Sequence, residues 1–344
     1  MKELEELRRQ IDSIDEKIVE LLAQRMRIVS QVGNVKRRLN QPLTDEKREE
    51  QVRLRWMSLA QKNGLPETMV DSLLNLIFLY SKIFEINPSF LKKVVVVGYG
   101  GMAKSLVSLF KLSSHEVIVT GRDPYKAEKL AKEFGYAYMD PAQASRWGEF
   151  VILALPPSGV LSDFVKGVFP HFSGKVVMDI SSSKQAVYGY LEKASSEHGF
   201  SYVSVHPLFG PYLYPVGEKI AVIPSKTTKD VDEVIEFWRN CGLVPVKTTL
   251  EAHEKAMALV QVLPHFYMLG LSRSLEKLRK EFDVDFTQFE TTNFREIYKV
   301  VKRVNELKSV ILEIQEMNPF SREVRKAGMG ELENLFHELD GEKK

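Results

Sequence analysis

The sequence predicts a multidomain chain of α and α/β class. It divides into a helical unit over residues 1–90, a doubly wound α/β unit over 93–247 and a second helical unit over 248–344. Three observations predict this. Apolar residues recur in steps of three and four along the first 39 positions. A fully apolar run, KKVVVVG, begins shortly after the helix-stopping Asn87-Pro88-Ser89. From there to Thr248, short apolar runs alternate with helical patterns.

The bulk numbers agree. At ~100–200 residues per domain, 344 residues make two or three domains. Apolar residues are 44% and charged residues 27%, ordinary for a soluble globular chain. A net charge of +2 supplies no global field toward nucleic acid, so no nucleic-acid partner is expected. One cysteine, Cys241, excludes a disulfide framework and fits a reducing cytoplasm. MKELEELRRQ reads as a charged helix rather than a targeting signal. The longest apolar stretch, Met69 to Ile86, contains Asp71, Asn75 and Lys82, so it reads as a core helix and no membrane contact is expected. No metal site is expected.

The first helix carries the seam Leu4, Leu7, Ile11, Ile14, Ile18, Leu21, Arg25, Ile28, Val32, Val35, Leu39, interrupted once, by Arg25. At 1.5 Å per residue it is on the order of 50 Å long. Two short partner helices cannot bury such a seam, so an intertwined helical dimer is expected. The second helix should start at Thr44-Asp45, a capping signal after Pro42. The third should run from Pro66, in its first turn, to Ile86.

Arg25 and Lys36 share a face of the first helix, about 20° apart at 100° per residue. Arg8 lies 17 residues before Arg25, roughly 26 Å along the axis, and cannot join them from the same helix. In an antiparallel dimer the partner's Arg8 can. Asp45, Arg48 and Glu49 cluster on the second helix, and Ser81 and Glu85 are i,i+4 neighbours on the third. Several cations with two or three carboxyls suit a small hydroxylated dicarboxylate. Taken alone, Asp45, Arg48 and Glu49 also read as solvated helix charges, and Arg25 as an oligomer-specifying polar residue.

LRRQIDSIDEKIVELLAQR, VGNVK and the D-x-x-R-E of Asp45 to Glu49 resemble the all-helical chorismate mutases, across nearly all of residues 1–90. The resemblance implies that Arg25 and the partner's Arg8 bind substrate carboxylates. It places Lys36 by the ether oxygen, Glu49 near the ring hydroxyl, Asp45 and Arg48 along the pocket, and Ser81 on a carboxylate. Glu85 occupies a position where many members carry Gln and some carry Glu.

The middle unit opens with VVVVGYGGMAKSLVSLF, a strand, a glycine-rich turn and a helix. Gly98, Gly100, Gly101 and Ala103 fit a G-x-G-x-x-A turn, which lets a dinucleotide pyrophosphate approach a helix N-terminus. The pattern is Rossmann-type, and further strands read at EVIVT, FVILAL, KVVMDI, YVSVH, KIAVI and VPVKT. EVIVT ends in Thr120-Gly121-Arg122, without the acidic residue typical of NAD sites. Arg122 suits a 2′-phosphate, so NADP is favoured, with NAD the alternative. Asp123 should start the next helix.

Strand ends carry the remaining candidates: Ser181, Ser182, Ser183 and Lys184 after VVMDI, and His206 in YVSVHPLFGP. His206 stands on a rigid turn that suits a general base. The serines also read as a helix cap. His253 reads as packed or solvated on a long helix that also carries His265, and Arg295 reads equally as a surface charge.

Together these segments resemble the prephenate dehydrogenases over most of residues 93–315, most specifically at His-Pro-Leu-Phe-Gly-Pro and the helix Ala252–Ser272. The order, mutase then dehydrogenase, resembles the bifunctional enzymes of tyrosine synthesis, with chorismate and prephenate as substrates and a C-terminal substrate and dimerisation unit. The resemblance implies that His206 takes the ring-hydroxyl proton, that Ser182 orients His206 or the hydroxyl, and that Arg295 binds a carboxylate. His265 is a further pocket candidate. Alternatives from the residues alone are a helical unit that only dimerises or regulates, arogenate as the oxidised substrate, and a generic hydroxyacid dehydrogenase or imine reductase.

Overall fold

The computed structural model describes residues 2–39, 41–86, 88 and 90–341. Three helices come first: α1 (Lys2–Arg38), α2 (Glu46–Lys62) and α3 (Glu67–Glu85). Glu3 and Glu5 open α1, and Lys36, Arg37 and Arg38 close it, each end complementing the helix dipole. Asp45 caps α2 by accepting the Arg48 backbone N–H at 3.0 Å. Pro66 stands one step earlier than expected, as the N-cap of α3 rather than inside its first turn. Of the stop signal Asn87-Pro88-Ser89, Asn87 and Ser89 lie outside the described residues.

The helical unit has a small core of Ala60, Val70, Leu74 and Phe78, built by α2 and α3. Helix α1 buries only Val29 and Gly33. A Cβ on Gly33 would stand 2.7 Å from the Cα of Glu85, so glycine lets α1 cross the end of α3. That crossing sets Lys36 beside Glu85. Neither Val29 nor Gly33 belongs to the seam, whose apolar members are bare, with Ile11 56% and Ile14 54% exposed.

The middle unit runs β1 (Lys93–Val97), α4 (Gly101–Leu112), β2 (Glu116–Thr120), α5 (Pro124–Glu133), β3 (Ala137–Tyr138), α6 (Pro141–Trp147), β4 (Phe150–Leu153), α7 (Pro157–Val160), α8 (Asp163–Val168), β5 (Val176–Asp179), α9 (Val187–His198), β6 (Ser201–Pro207), β7 (Lys219–Pro224), α10 (Val231–Asn240) and β8 (Val244–Lys247). These strands form one sheet of order β3-β2-β1-β4-β5-β6-β7-β8. Among the described residues only the β6–β7 pair is antiparallel. Both faces are covered, by Leu106, Phe110, Phe237 and Trp238 on one side and Phe169, Phe172, Leu191 and Phe200 on the other. Burial on both faces explains why β1 reads as an unbroken valine run. The chain reverses direction across the sheet between β1 and β4, which opens a crevice at their carboxyl ends.

One core group is titratable. His115 lies against the Phe237 ring (5.1 Å between centroids) and accepts the Lys92 N–H at Nδ1 (3.1 Å). Burial, aided by the Lys92 charge, pushes its pKa down to about 4. A depressed folded pKa contributes stability that is present above the unfolded value, ~6.5, and lost as pH falls toward the folded one. The expected loss between pH 7 and pH 5 is about 2 kcal/mol. His115→Gln keeps an acceptor for Lys92 and should flatten that slope in urea unfolding; an unchanged slope would count against the assignment.

The C-terminal unit contains α11 (Leu250–Met257), α12 (Leu263–Glu281), α13 (Thr292–Glu306), α14 (Lys308–Met317) and α15 (Ser321–Leu339). The single long helix expected here is interrupted, because a π-helical segment, Ala258–Val262, joins α11 to α12. Pro264 stands two residues beyond its end. Proline has no N–H and its ring crowds the carbonyl four residues back, and the widened turn relieves that crowding.

Candidate active sites

Helices α1, α2 and α3 enclose a cavity of about 190 Å³. Arg25, Lys36, Asp45, Arg48, Glu49, Ser81 and Glu85 all line it. Arg25 Nη1 donates to Ser81 Oγ at 2.5 Å. Lys36 Nζ donates to Glu85 Oε2 at 2.8 Å and to the Leu43 carbonyl at 2.7 Å. Sequence reasoning missed Lys82, which pairs with Glu49 at 3.0 Å. Its spacing of three from Glu85 was the available signal. Arg8 is exposed and outside this cavity. Burial raises the pKa of Glu85, and Glu49 adds to this; Lys36 and Lys82 oppose it without cancelling it.

The second site lies at the carboxyl ends of the strands. Gly98 has φ 137°, and a Cβ there would stand 3.0 Å from the Ala154 carbonyl carbon. Gly100 caps α4, Gly101 begins it and Ala103 is fully buried. Beside this turn is a cavity of about 500 Å³, lined by Tyr99, Gly100, Arg122, Pro156 and Ser158 among others. A helix N-terminus facing a cavity of this size fits a dinucleotide pyrophosphate. Arg122 is exposed at its edge, without an ion-pair partner among the described residues. Asp123 is committed to capping α5, accepting the Lys126 N–H at 3.2 Å.

His206 is the penultimate residue of β6 and is buried. Its Nδ1 lies 3.0 Å from Nε2 of His253, so His253 is neither solvated nor mere packing. Burial first, then the Lys184 charge and His253, hold the His206 pKa well below its usual value. The imidazole is therefore neutral at neutral pH and keeps a lone pair on one ring nitrogen. Lys184 is fully buried and donates to Asp179 Oδ2 at 3.0 Å and to the Val205 carbonyl at 2.7 Å. Burial works to raise the Asp179 pKa, but Lys184, Ser204 and Tyr202 overcome it and hold the carboxyl below its usual range.

Ser182 is half-buried in the turn after β5. The neighbouring Ser181 and Ser183 hydroxyls are buried without a hydrogen-bond partner among the described residues. None of the serines caps α9, whose N-cap is Ala186. A Cβ on Gly101 would stand 2.8 Å from Cβ of Pro211, so the His206 turn leans on the glycine turn. His265 follows the π-helical segment, and its Nδ1 is buried and unpartnered among the described residues. Arg295 is exposed and pairs with Glu290 at 3.6 Å; among the described residues no bond joins it to the His206 cluster. Arg303, unforeseen, sets its guanidinium carbon 3.3 Å from the position a Cβ of Gly210 would take.

Comparisons with known proteins bear on both sites. Residues 7–86 match the family model chorismate mutase type II. Residues 93–183 match the model described as NADP oxidoreductase, coenzyme F420-dependent. A probable arogenate/prephenate dehydrogenase of Methanocaldococcus jannaschii is 28% identical over 254 residues, 70% of this chain and 55% of that protein. The T-protein of Enterobacter agglomerans is 26% identical over 277 residues, 77% of this chain and 68% of that protein. The chain is thus similar to chorismate mutases over residues 7–86, to a nucleotide-dependent oxidoreductase model over residues 93–183, and to a T-protein over most of its length. It spans just over half the length of the Methanocaldococcus relative, 55%. A prephenate dehydrogenase from A. aeolicus, solved with hydroxyphenyl propionate and NAD+, shares the fold at TM-score 0.58 and 20% identity, over 74% of this chain and 94% of that one.

Proposed function

We propose that the protein rearranges chorismate to prephenate in the α1–α3 cavity. It then oxidatively decarboxylates prephenate to 4-hydroxyphenylpyruvate at His206, in tyrosine biosynthesis. The observation that carries this reading is that one chain holds both kinds of site. One is a cavity lined by Arg25, Lys36 and Arg48. The other is a buried neutral histidine whose turn rests on a glycine-rich turn.

The first reaction is unimolecular and needs positioning and charge stabilisation rather than a nucleophile. Arg25 and Arg8 of the partner subunit hold the two carboxylates. Lys36 and protonated Glu85 donate to the ether oxygen as negative charge develops there. Glu49 accepts from the ring hydroxyl, Ser81 contacts a carboxylate, and Asp45 and Arg48 shape the wall.

For the second reaction, Gly98, Gly100, Gly101 and Ala103 form the seat for a nicotinamide nucleotide. Bound there, it supplies the acceptor for the hydride that leaves the substrate ring. His206 Nε2 takes the ring-hydroxyl proton, carbon dioxide departs, and the product ring is aromatic. Ser182 orients the hydroxyl. His265 lines the pocket, and Arg295 binds a substrate carboxylate.

A homodimer is supported by the bare α1 seam and by an apolar hollow of about 400 Å³ between α12 and α13, lined by Leu278, Phe282, Phe286 and Phe289. Sedimentation showing only monomer at micromolar concentration would remove it. A cytoplasmic location is supported by the lone, buried, unpaired Cys241, and periplasmic or secreted protein found by fractionation would contradict it.

The deciding experiment is incubation of the full chain with chorismate, with and without NADP+ or NAD+. Prephenate should accumulate without cofactor and 4-hydroxyphenylpyruvate with it; dehydrogenase activity without any mutase activity would leave the helical unit as a dimerisation module. NADP is the favoured cofactor, because Arg122 has no ion-pair partner among the described residues and Asp123 is committed to its cap. Arg122→Ala should lower kcat/KM for NADP+ about tenfold, the scale of one lost charged contact, and barely change it for NAD+. An equal loss with both cofactors would overturn the preference.

A further inference from the structure

His206 is the last member of a buried chain of polar groups. His253 is 2% exposed and Glu254 4%. The two histidine rings meet edge to face at 75°, with His206 Nδ1 and His253 Nε2 3.0 Å apart. On its other side, His253 Nδ1 lies 3.4 Å from Glu254 Oε1. The Lys184 backbone N–H donates to that same Oε1 at 3.2 Å, and Asn318 Nδ2 donates to Oε2 at 3.1 Å. Asn318 cannot be turned the other way, because its Oδ1 accepts the Phe320 N–H at 2.9 Å. Four segments thus converge on one carboxylate and two rings: the end of β6, helix α11, the turn after β5 and the end of α14.

The hydrogen-bond partners then fix the protons. Both Glu254 oxygens face donors, so the group acts as an acceptor. His253 Nδ1 must carry the hydrogen that points at it. A neutral imidazole has one N–H, so His253 Nε2 is bare and accepts. The hydrogen between the rings therefore belongs to His206 Nδ1, and His206 Nε2 is left with its lone pair. The groups facing His206 are His253 from α11 and Lys184 from the turn after β5, whose charge is matched by Asp179.

We propose that His253 and Glu254 are positioning residues for the dehydrogenase. Through them one buried carboxylate sets the His206 tautomer with Nε2 free and takes up the positive charge created when Nε2 accepts a proton. The inference rests on the reading of His206 as the base. As Nε2 takes the substrate hydroxyl proton, the Nδ1 hydrogen shifts toward His253 Nε2, and the His253 Nδ1 hydrogen is held by Glu254. The trio gains one proton and returns it to solvent after product leaves, so the balance closes without another reactant. The 3.4 Å contact is long and shortens as positive charge reaches His253.

The test uses the full chain with Glu254→Gln. The amide oxygen stays toward the Lys184 N–H and His253 Nδ1, so the tautomer is kept but the charge that takes up the new positive charge is gone. Three results are expected. Nitrogen-15 spectra of the free protein show His206 as the Nδ1–H tautomer in the parent chain and in the variant. Dehydrogenase kcat falls about 10²-fold while KM for prephenate and cofactor stays within about twofold. In a His206→Asn background, adding Glu254→Gln costs nothing more. The idea is overturned by an Nε2–H tautomer in the parent, by an unchanged kcat, or by a loss that persists in the His206→Asn background. Circular dichroism and thermal unfolding of the full chain report whether the variant folds; if it does not, His253→Gln carries the same measurements. The spectra need no substrate, so they decide the relay even if prephenate proves not to be oxidised.

Discussion

Replacing His206 with asparagine is expected to cut prephenate oxidation by about 10²–10⁴-fold and to leave chorismate rearrangement near its parent rate. Asparagine matches the imidazole in reach but has no lone pair basic enough to take the hydroxyl proton. The mutase residues lie on α1, α2 and α3 around their own cavity, whereas the His206 ring contacts His253. The converse should also hold. Lys36→Ala removes the cation held 2.8 Å from Glu85 and should abolish most mutase turnover while prephenate is still oxidised. The assays are single-substrate, one with chorismate and no cofactor, the other with prephenate and NADP+. Near-normal prephenate oxidation by the asparagine variant would mean that another group takes the proton.

The two sites differ in how much of them the sequence discloses. The mutase residues repeat on helical spacing, so the helical period alone puts Arg25 with Lys36, and Ser81 with Glu85, on shared faces. All of them line one cavity. The glycine turn is equally plain, because a strand, a positive-φ glycine and a helix N-terminus are local features. The His253–Glu254 contact is different. His253 is 47 positions from His206, and Asn318 is 64 from Glu254. No period connects them, and only the docking of α11 and α14 onto the strand ends does. The π-helical segment is a related case: Pro264 marks a disturbance in the helix, but packing decides whether the chain kinks, breaks or widens there. The seam of α1 is legible and yet unburied within one chain, the face that the proposed homodimer would cover.

Mutase kcat/KM should be high in mild acid and fall as pH rises, and Glu85 sets the midpoint. Its carboxyl is 2.8 Å from Lys36 Nζ and buried. An ionised carboxylate at the ether oxygen opposes the charge developing there, whereas a protonated one donates to it. The two environmental effects compete: burial favours the neutral form and Lys36 the charged one, and burial prevails. The midpoint therefore lies above that of a free glutamate, ~4.3, and beyond it activity should drop about tenfold per pH unit, as for one ionisation. Stability carries the same sign, since a raised folded pKa contributes stability that is present below the unfolded value and lost as pH rises through the folded one. Glu85→Gln separates the two. Glutamine always donates and never ionises, so the variant should match the parent in acid, exceed it well above the midpoint and leave prephenate oxidation untouched. A parent profile that stays flat as pH rises above the value of a free glutamate, ~4.3, and is unaltered by the glutamine, would take Glu85 out of the mechanism.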